Sequence, residues 1–114
     1  MARILCVDDE PHVASLQCLL LAAEGHCATP VWTVFDALDE LRSKRYDLVI
    51  TRWRLCDGGG DVIVATAKAL APAPAVVVSG HIQDGGKLDE PPADLYLKRV
   101  IDPDELVAIV HRIL

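Results

Sequence analysis

Short apolar runs alternate with longer stretches that carry apolar residues at helical spacing. Residues 3–7, Arg-Ile-Leu-Cys-Val, form a mostly apolar run of strand length. Pro11 then stands where a first helical turn tolerates proline, and Gly25 where a helix commonly stops. Between them Val13, Leu16, Leu20 and Ala23 recur as one apolar stripe, which predicts the core-facing side of a first helix. Residues 26–31 read as a second strand, confined by Pro30 to a sheet edge. Residues 35–43 carry a second helical stripe through Leu38 and Leu41, and residues 48–51 (Leu-Val-Ile-Thr) a third strand. Gly58, Gly59 and Gly60 then read as a loop. Asp61 is placed to cap a helix running to about Leu70, which Pro72 and Pro74 terminate. Residues 75–79, Ala-Val-Val-Val-Ser, and 95–98, ending in Lys98, are the fourth and fifth strands. Asp102 and Pro103 open a last helix to Leu114.

Strand and helix thus alternate about five times, which argues for an α/β sandwich with a parallel sheet and right-handed crossovers. The central runs are apolar throughout, as strands covered on both faces require. No repeat, low-complexity tract or linker interrupts the pattern, so residues 1–114 read as one domain.

Composition narrows the function. Apolar residues make up 52% and charged residues 25%, which excludes a disordered chain. Eleven Lys and Arg stand against 17 Asp and Glu, a net charge of −6. That sign disfavours a nucleic-acid backbone and an anionic membrane surface as partners. The four cysteines, Cys6, Cys18, Cys27 and Cys56, form no C-x-x-C pair, and neither they nor the four histidines show metal-ligand spacing. They read as reduced thiols of a cytoplasmic protein. The N-terminus reaches acidic residues by position 8 and lacks the apolar region of a signal peptide. No apolar stretch approaches the roughly 20 residues that span a bilayer.

In open α/β sheets, sites form at the carboxyl ends of the strands. Strand one ends at Asp8 and Asp9, strand three at Thr51 and Arg52, strand four at Ser79, and strand five at Lys98. Over its full length the chain resembles a receiver domain of the bacterial two-component response regulators. The resemblance rests on Val-Asp-Asp-Glu at 7–10, on Tyr-Asp-Leu-Val-Ile at 46–50 with the glycine-rich loop that follows, on Val-Val-Val-Ser-Gly-His at 76–81, and on Tyr-Leu-Lys at 96–98. It implies a doubly wound, flavodoxin-like sheet of five parallel strands in the order 2-1-3-4-5, with helices on both faces. It also implies a phosphorylation pocket of Asp8, Asp9, Ser79 and Lys98, with position 52 as the phospho-acceptor. In such receivers the acceptor is an aspartate that binds a divalent metal together with the acidic pair. Here it is Arg52, which has no nucleophilic oxygen and stays protonated. Two carboxylates then face two cations, so Mg2+ binding is expected to be weak or absent. The guanidinium of Arg52 is expected to take the metal's place and bridge to Asp8 or Asp9.

Further departures accumulate. Cys56 stands where the family has proline, four residues after the acceptor. Arg99 replaces the proline after the lysine, which makes a cis bond there unfavourable. Leu95 occupies the place of the switch aromatic, and Tyr96 lies one residue later. Between strands four and five, Gly85, Gly86, Pro91 and Pro92 leave little room for a helix, so the fourth helix is expected to be short or missing. The first helix is nearly free of charge, and a helical wheel places Cys18 away from the core with Leu21 on its flank. Cys18, Leu21, Leu95 and Tyr96 are therefore the expected interaction surface. The reading is a pseudo-receiver: a phosphorylation-independent signalling and protein-interaction module, not an enzyme, whose partners are a sensor kinase, an output domain or a second copy. Two other readings stay open. One is an active Mg2+-dependent receiver using a substitute aspartate, Asp57 or Asp9. The other is a small-anion sensor at Arg52 and Lys98.

Overall fold

The computed structural model describes residues 2–80, 93–97 and 102–114, Tyr96 by its backbone alone. Five strands, β1 (Arg3–Val7), β2 (Cys27–Val31), β3 (Leu48–Arg52), β4 (Ala75–Ser79) and β5 (Leu95–Leu97), form one parallel sheet in the order β2-β1-β3-β4-β5. The expected order is the observed one. Four helices belong to the described residues: α1 (Pro11–Ala23), α2 (Val34–Ser43), α3 (Gly60–Lys68) and α4 (Pro103–Ile113). A fourth helix between β4 and β5 was expected to be reduced or absent. That segment, with Lys98 and Arg99, lies outside the described residues.

Alternation along each central strand builds two cores. Leu5, Val7, Val49, Val76 and Val78 face α2 and α3, where Ala37, Leu41, Ile63, Val64 and Ala67 meet them. Ile4, Cys6, Leu48, Ile50 and Val77 face α1 and α4, against Leu21, Leu106, Ile109 and Val110. Successive side chains point to opposite faces, so a sheet covered on both sides needs unbroken apolar strands. Pro30 sits in β2, at the edge, opposite Cys6, where one missing N–H costs no second ladder.

The helix ends follow local chemistry. Gly25, at φ +90°, closes α1 with His26 N–H donating to Leu21 O at 3.1 Å and Gly25 N–H to Ala22 O at 3.0 Å. This is a Schellman arrangement, which favours glycine at the left-handed position. Thr33 caps α2, its Oγ1 accepting from Asp36 N at 3.0 Å, so that helix begins one residue before the predicted start. Helix α4 opens at Asp102 and Pro103 as expected, and Asp102 caps it, accepting from Asp104 N at 3.1 Å. Asp61 does not cap α3. The helix starts at Gly60 with Gly59 at the cap, and Asp61 lies in the first turn, where a carboxylate meets the positive helix end.

The phase of α1 also differs from expectation. Ala14, Gln17 and Leu21 enter the core, and Leu21 is fully buried. Leu16, assigned to the core stripe, is 52% exposed. Leu21 therefore belongs to the core and not to an interaction surface. Cys18 is half-buried and packs on the same cluster, beside Cys6. That contact, with burial, holds the Cys6 thiol above its usual pKa. An uncharged helix gives its hydrophobic pattern no sharp phase, so packing decides which side faces in.

Candidate functional site

The site stands where β1 and β3 end. Asp8 is almost fully buried, its N–H bonded to Val31 O at 3.1 Å and its Oδ1 accepting Glu10 N–H at 2.9 Å. This turn brings Asp8, Asp9 and Glu10 together around the β3 terminus. Arg52 reaches them from the last position of β3. Its Nη1 lies 2.7 Å from Asp9 Oδ1, 4.0 Å from Asp8 Oδ1 and 3.8 Å from Glu10 Oε1. One guanidinium nitrogen therefore touches carboxylates on three successive residues. The contact is end-on through Nη1 rather than a two-pronged fork, and Asp9 receives its short hydrogen bond. Glu10 was not foreseen as a member. With it, three carboxylates surround this cation among the described residues.

The β3–α3 junction holds Arg52 in place. Gly60 N–H donates to Trp53 O at 2.6 Å, and a Cβ at Gly60 would come within 2.6 Å of Arg52 O. Only glycine lets α3 begin that close to the strand end. Ser79 is buried directly across the ladder from Arg52, and its carbonyl accepts Trp53 N–H at 2.8 Å. Thus Asp8, Asp9, Arg52 and Ser79 converge on one edge. Lys98 and the side chain of Tyr96 lie outside the described residues. Leu95, expected on an interaction surface, is partly buried against the core of the α1 and α4 side.

Asp57 stands elsewhere. Its two oxygens accept Val34 N–H at 2.8 Å and Phe35 N–H at 3.1 Å. These bonds, Val34 foremost, hold its carboxyl below the usual aspartate pKa. It caps α2 from across the sheet end, which leaves it a poor substitute acceptor. Sequence reasoning missed this role because the partners are more than 20 residues apart in the chain.

The donors fit a dication poorly. One oxygen of Asp9, the more exposed member of the acidic pair, is held at 2.7 Å by a cation, and the position that would supply a further carboxylate supplies that cation instead. Hard dications require free oxygen ligands. Among the described residues no group of three or more His, Cys, Asp or Glu is arranged to hold a metal ion.

A doubly wound sheet whose strand-end site joins an acidic pair, a buried serine and position 52 defines a receiver-type signalling domain. The chain is a response-regulator receiver domain. It is similar to the phosphate regulon transcriptional regulatory protein PhoB of Klebsiella pneumoniae, 26% identical over 98% of this chain and 51% of that protein. It is also similar to the DNA-binding response regulator MtrA of Mycolicibacterium smegmatis, 30% identical over 96% of this chain and 49% of that protein. The solved response regulator TrrA of Thermotoga maritima, in complex with Mg2+ and BeF, superposes with a TM-score of 0.87 at 27% identity over the whole of both chains. No protein-family model matches the chain. The chain spans about half the length of the curated relatives it matches.

Proposed function

We propose that this receiver domain signals without accepting a phosphoryl group. The observation that carries the reading is the ion pair at the acceptor position: Arg52 Nη1 at 2.7 Å from Asp9 Oδ1. An arginine offers no oxygen to form an acyl phosphate. Its cation occupies the ground between the acidic residues that a dication would need, and it ties the end of β3 to the end of β1. The pair holds the pocket in one arrangement. A ligand shifts an equilibrium only by its differential affinity for two states, so control passes from phosphate to binding. The domain then serves as a protein-interaction module of a cytoplasmic two-component system, engaging a sensor kinase, an output domain or another copy of itself. Its net charge of −6 supports protein partners over nucleic acid for this domain.

Mg2+ titration followed by tryptophan fluorescence, from Trp53 next to Arg52 and Trp32 just past β2, tests the pocket. The native chain is expected to show no saturable change up to about 10 mM, and Arg52→Asp to respond in the low-millimolar range typical of weak oxygen-ligand sites. A saturable low-millimolar response of the native chain would overturn the reading.

A further inference from the structure

Helix α1 turns two faces in different directions. Ala14, Gln17 and Leu21 enter the core. On the opposite side Leu16 is 52% and Leu19 68% exposed, and His12 and Ala23 are exposed with them. These four positions, spaced four, three and four residues apart, make the seam of a two-helix contact. From Pro11 to Ala23 there is no Asp, Glu, Lys or Arg. The other described helices all turn carboxylates outward: Asp36 and Asp39 on α2, Asp61 on α3, Asp104 and Glu105 on α4.

We infer that the outward face of α1 is where two copies of this chain meet, as an antiparallel helix pair. The spacing selects a second copy. It reads the same in both directions about a point between Gln17 and Cys18. A twofold axis there sets Leu16 against the partner's Leu19 and His12 against the partner's Ala23. Such a seam is self-complementary, as an isologous interface requires. Ser15 and Ala22 flank it and let the backbones approach. Charge points the same way. Each copy carries −6, so pairing through α2, α3 or α4 would oppose carboxylates, and pairing through α1 opposes none along the seam. Antiparallel packing also opposes the helix dipoles, and Glu10 and Glu24, the latter paired with His111 of its own chain at 3.2 Å, lie just beyond the two ends of the seam.

Area sets the strength. A 13-residue helix is about 20 Å long and about 10 Å wide, so the face offers about 200 Å² in projection and about twice that in accessible area. Two such faces bury roughly 800 Å² in total, below a standard stable interface. The pair is therefore weak and concentration-dependent.

Sedimentation velocity on the whole chain, from about 10 μM to about 1 mM, tests this. The expected result is a monomer–dimer equilibrium in the native chain. Leu19→Glu and Leu16→Lys are each expected to weaken it at least tenfold, with circular dichroism and thermal midpoint close to native because both sites face solvent. Mixing the two variants is expected to restore dimer, since antiparallel pairing sets the introduced charges opposite each other. A native chain monomeric throughout the range, a dimer that survives both substitutions, or a mixture that stays monomeric would overturn the proposal.

Discussion

Position 52 decides what this pocket can do, and its surroundings are built to keep one arginine in place. The side chain is partly exposed, so its pairing with Asp9 adds little to global stability; surface ion pairs contribute about 0–1 kcal/mol. What matters is geometry, and Gly60 supplies it by letting α3 start against the carbonyl of Arg52. Gly60→Ala is expected to force that junction apart at a cost of about 1–3 kcal/mol, the range of an overpacked site, read as a lower urea midpoint. An unchanged midpoint would show that the junction yields freely. The arginine itself was legible in the sequence, because the motifs on either side fix where the acceptor belongs. Glu10 and Asp57 were not. Glu10 joins the site because a turn at Asp8 bends it back, and Asp57 finds the start of α2 only once the fold has formed.

Elements were read correctly where composition gives a sharp signal and misread where it does not. The continuous apolar runs of β1, β3 and β4 and the Asp-Pro start of α4 left little ambiguity. Helix α1 has apolar residues nearly all round, so its stripe was set on Leu16 and Leu20 while packing chose Ala14, Gln17 and Leu21. Glycines at 58–60 read as loop, yet Gly60 begins α3 because a close approach to β3 needs a residue without Cβ. The phase of α1 has a direct energetic consequence. Leu21→Ala is expected to cost about 2–5 kcal/mol as a cavity in the core, while Leu16→Ala, in dilute solution, stays within about 0.5 kcal/mol. Chemical denaturation of the two variants distinguishes them, and equal losses would contradict the observed phase.

At the scale of the whole molecule, alternation along the chain pointed to a parallel α/β sandwich, while the strand order came from the family resemblance; the observed sheet has that order. Polar clamps at the margins of the sheet set how stability depends on pH. Asp94 binds Lys68 at 2.6 Å and Val76 N–H at 2.7 Å; burial opposes its charge, but these contacts outweigh it and hold its pKa down. Glu40, accepting from Tyr46 Oη at 2.5 Å, is lowered mainly by that bond. Carboxyls lowered by folding stabilise the fold above their unfolded pKa, and that contribution is lost on acidification through their folded values. Tyr46 is pushed up to about 12, first by burial and then by its bond to Glu40. A raised group stabilises the fold below its unfolded pKa, so this contribution is lost as pH climbs from about 10 to about 12. The urea midpoint is therefore expected to fall below about pH 4.5 and again above about pH 10; a midpoint that rose on acidification below pH 4 would contradict these assignments. The central claim, that the domain works without phosphate, is tested most directly by intact mass spectrometry after incubation with a small-molecule phosphodonor and Mg2+, beside an Arg52→Asp variant. The account predicts an unchanged mass for the native chain and a phosphoryl adduct on the variant. An adduct on the native chain would contradict it.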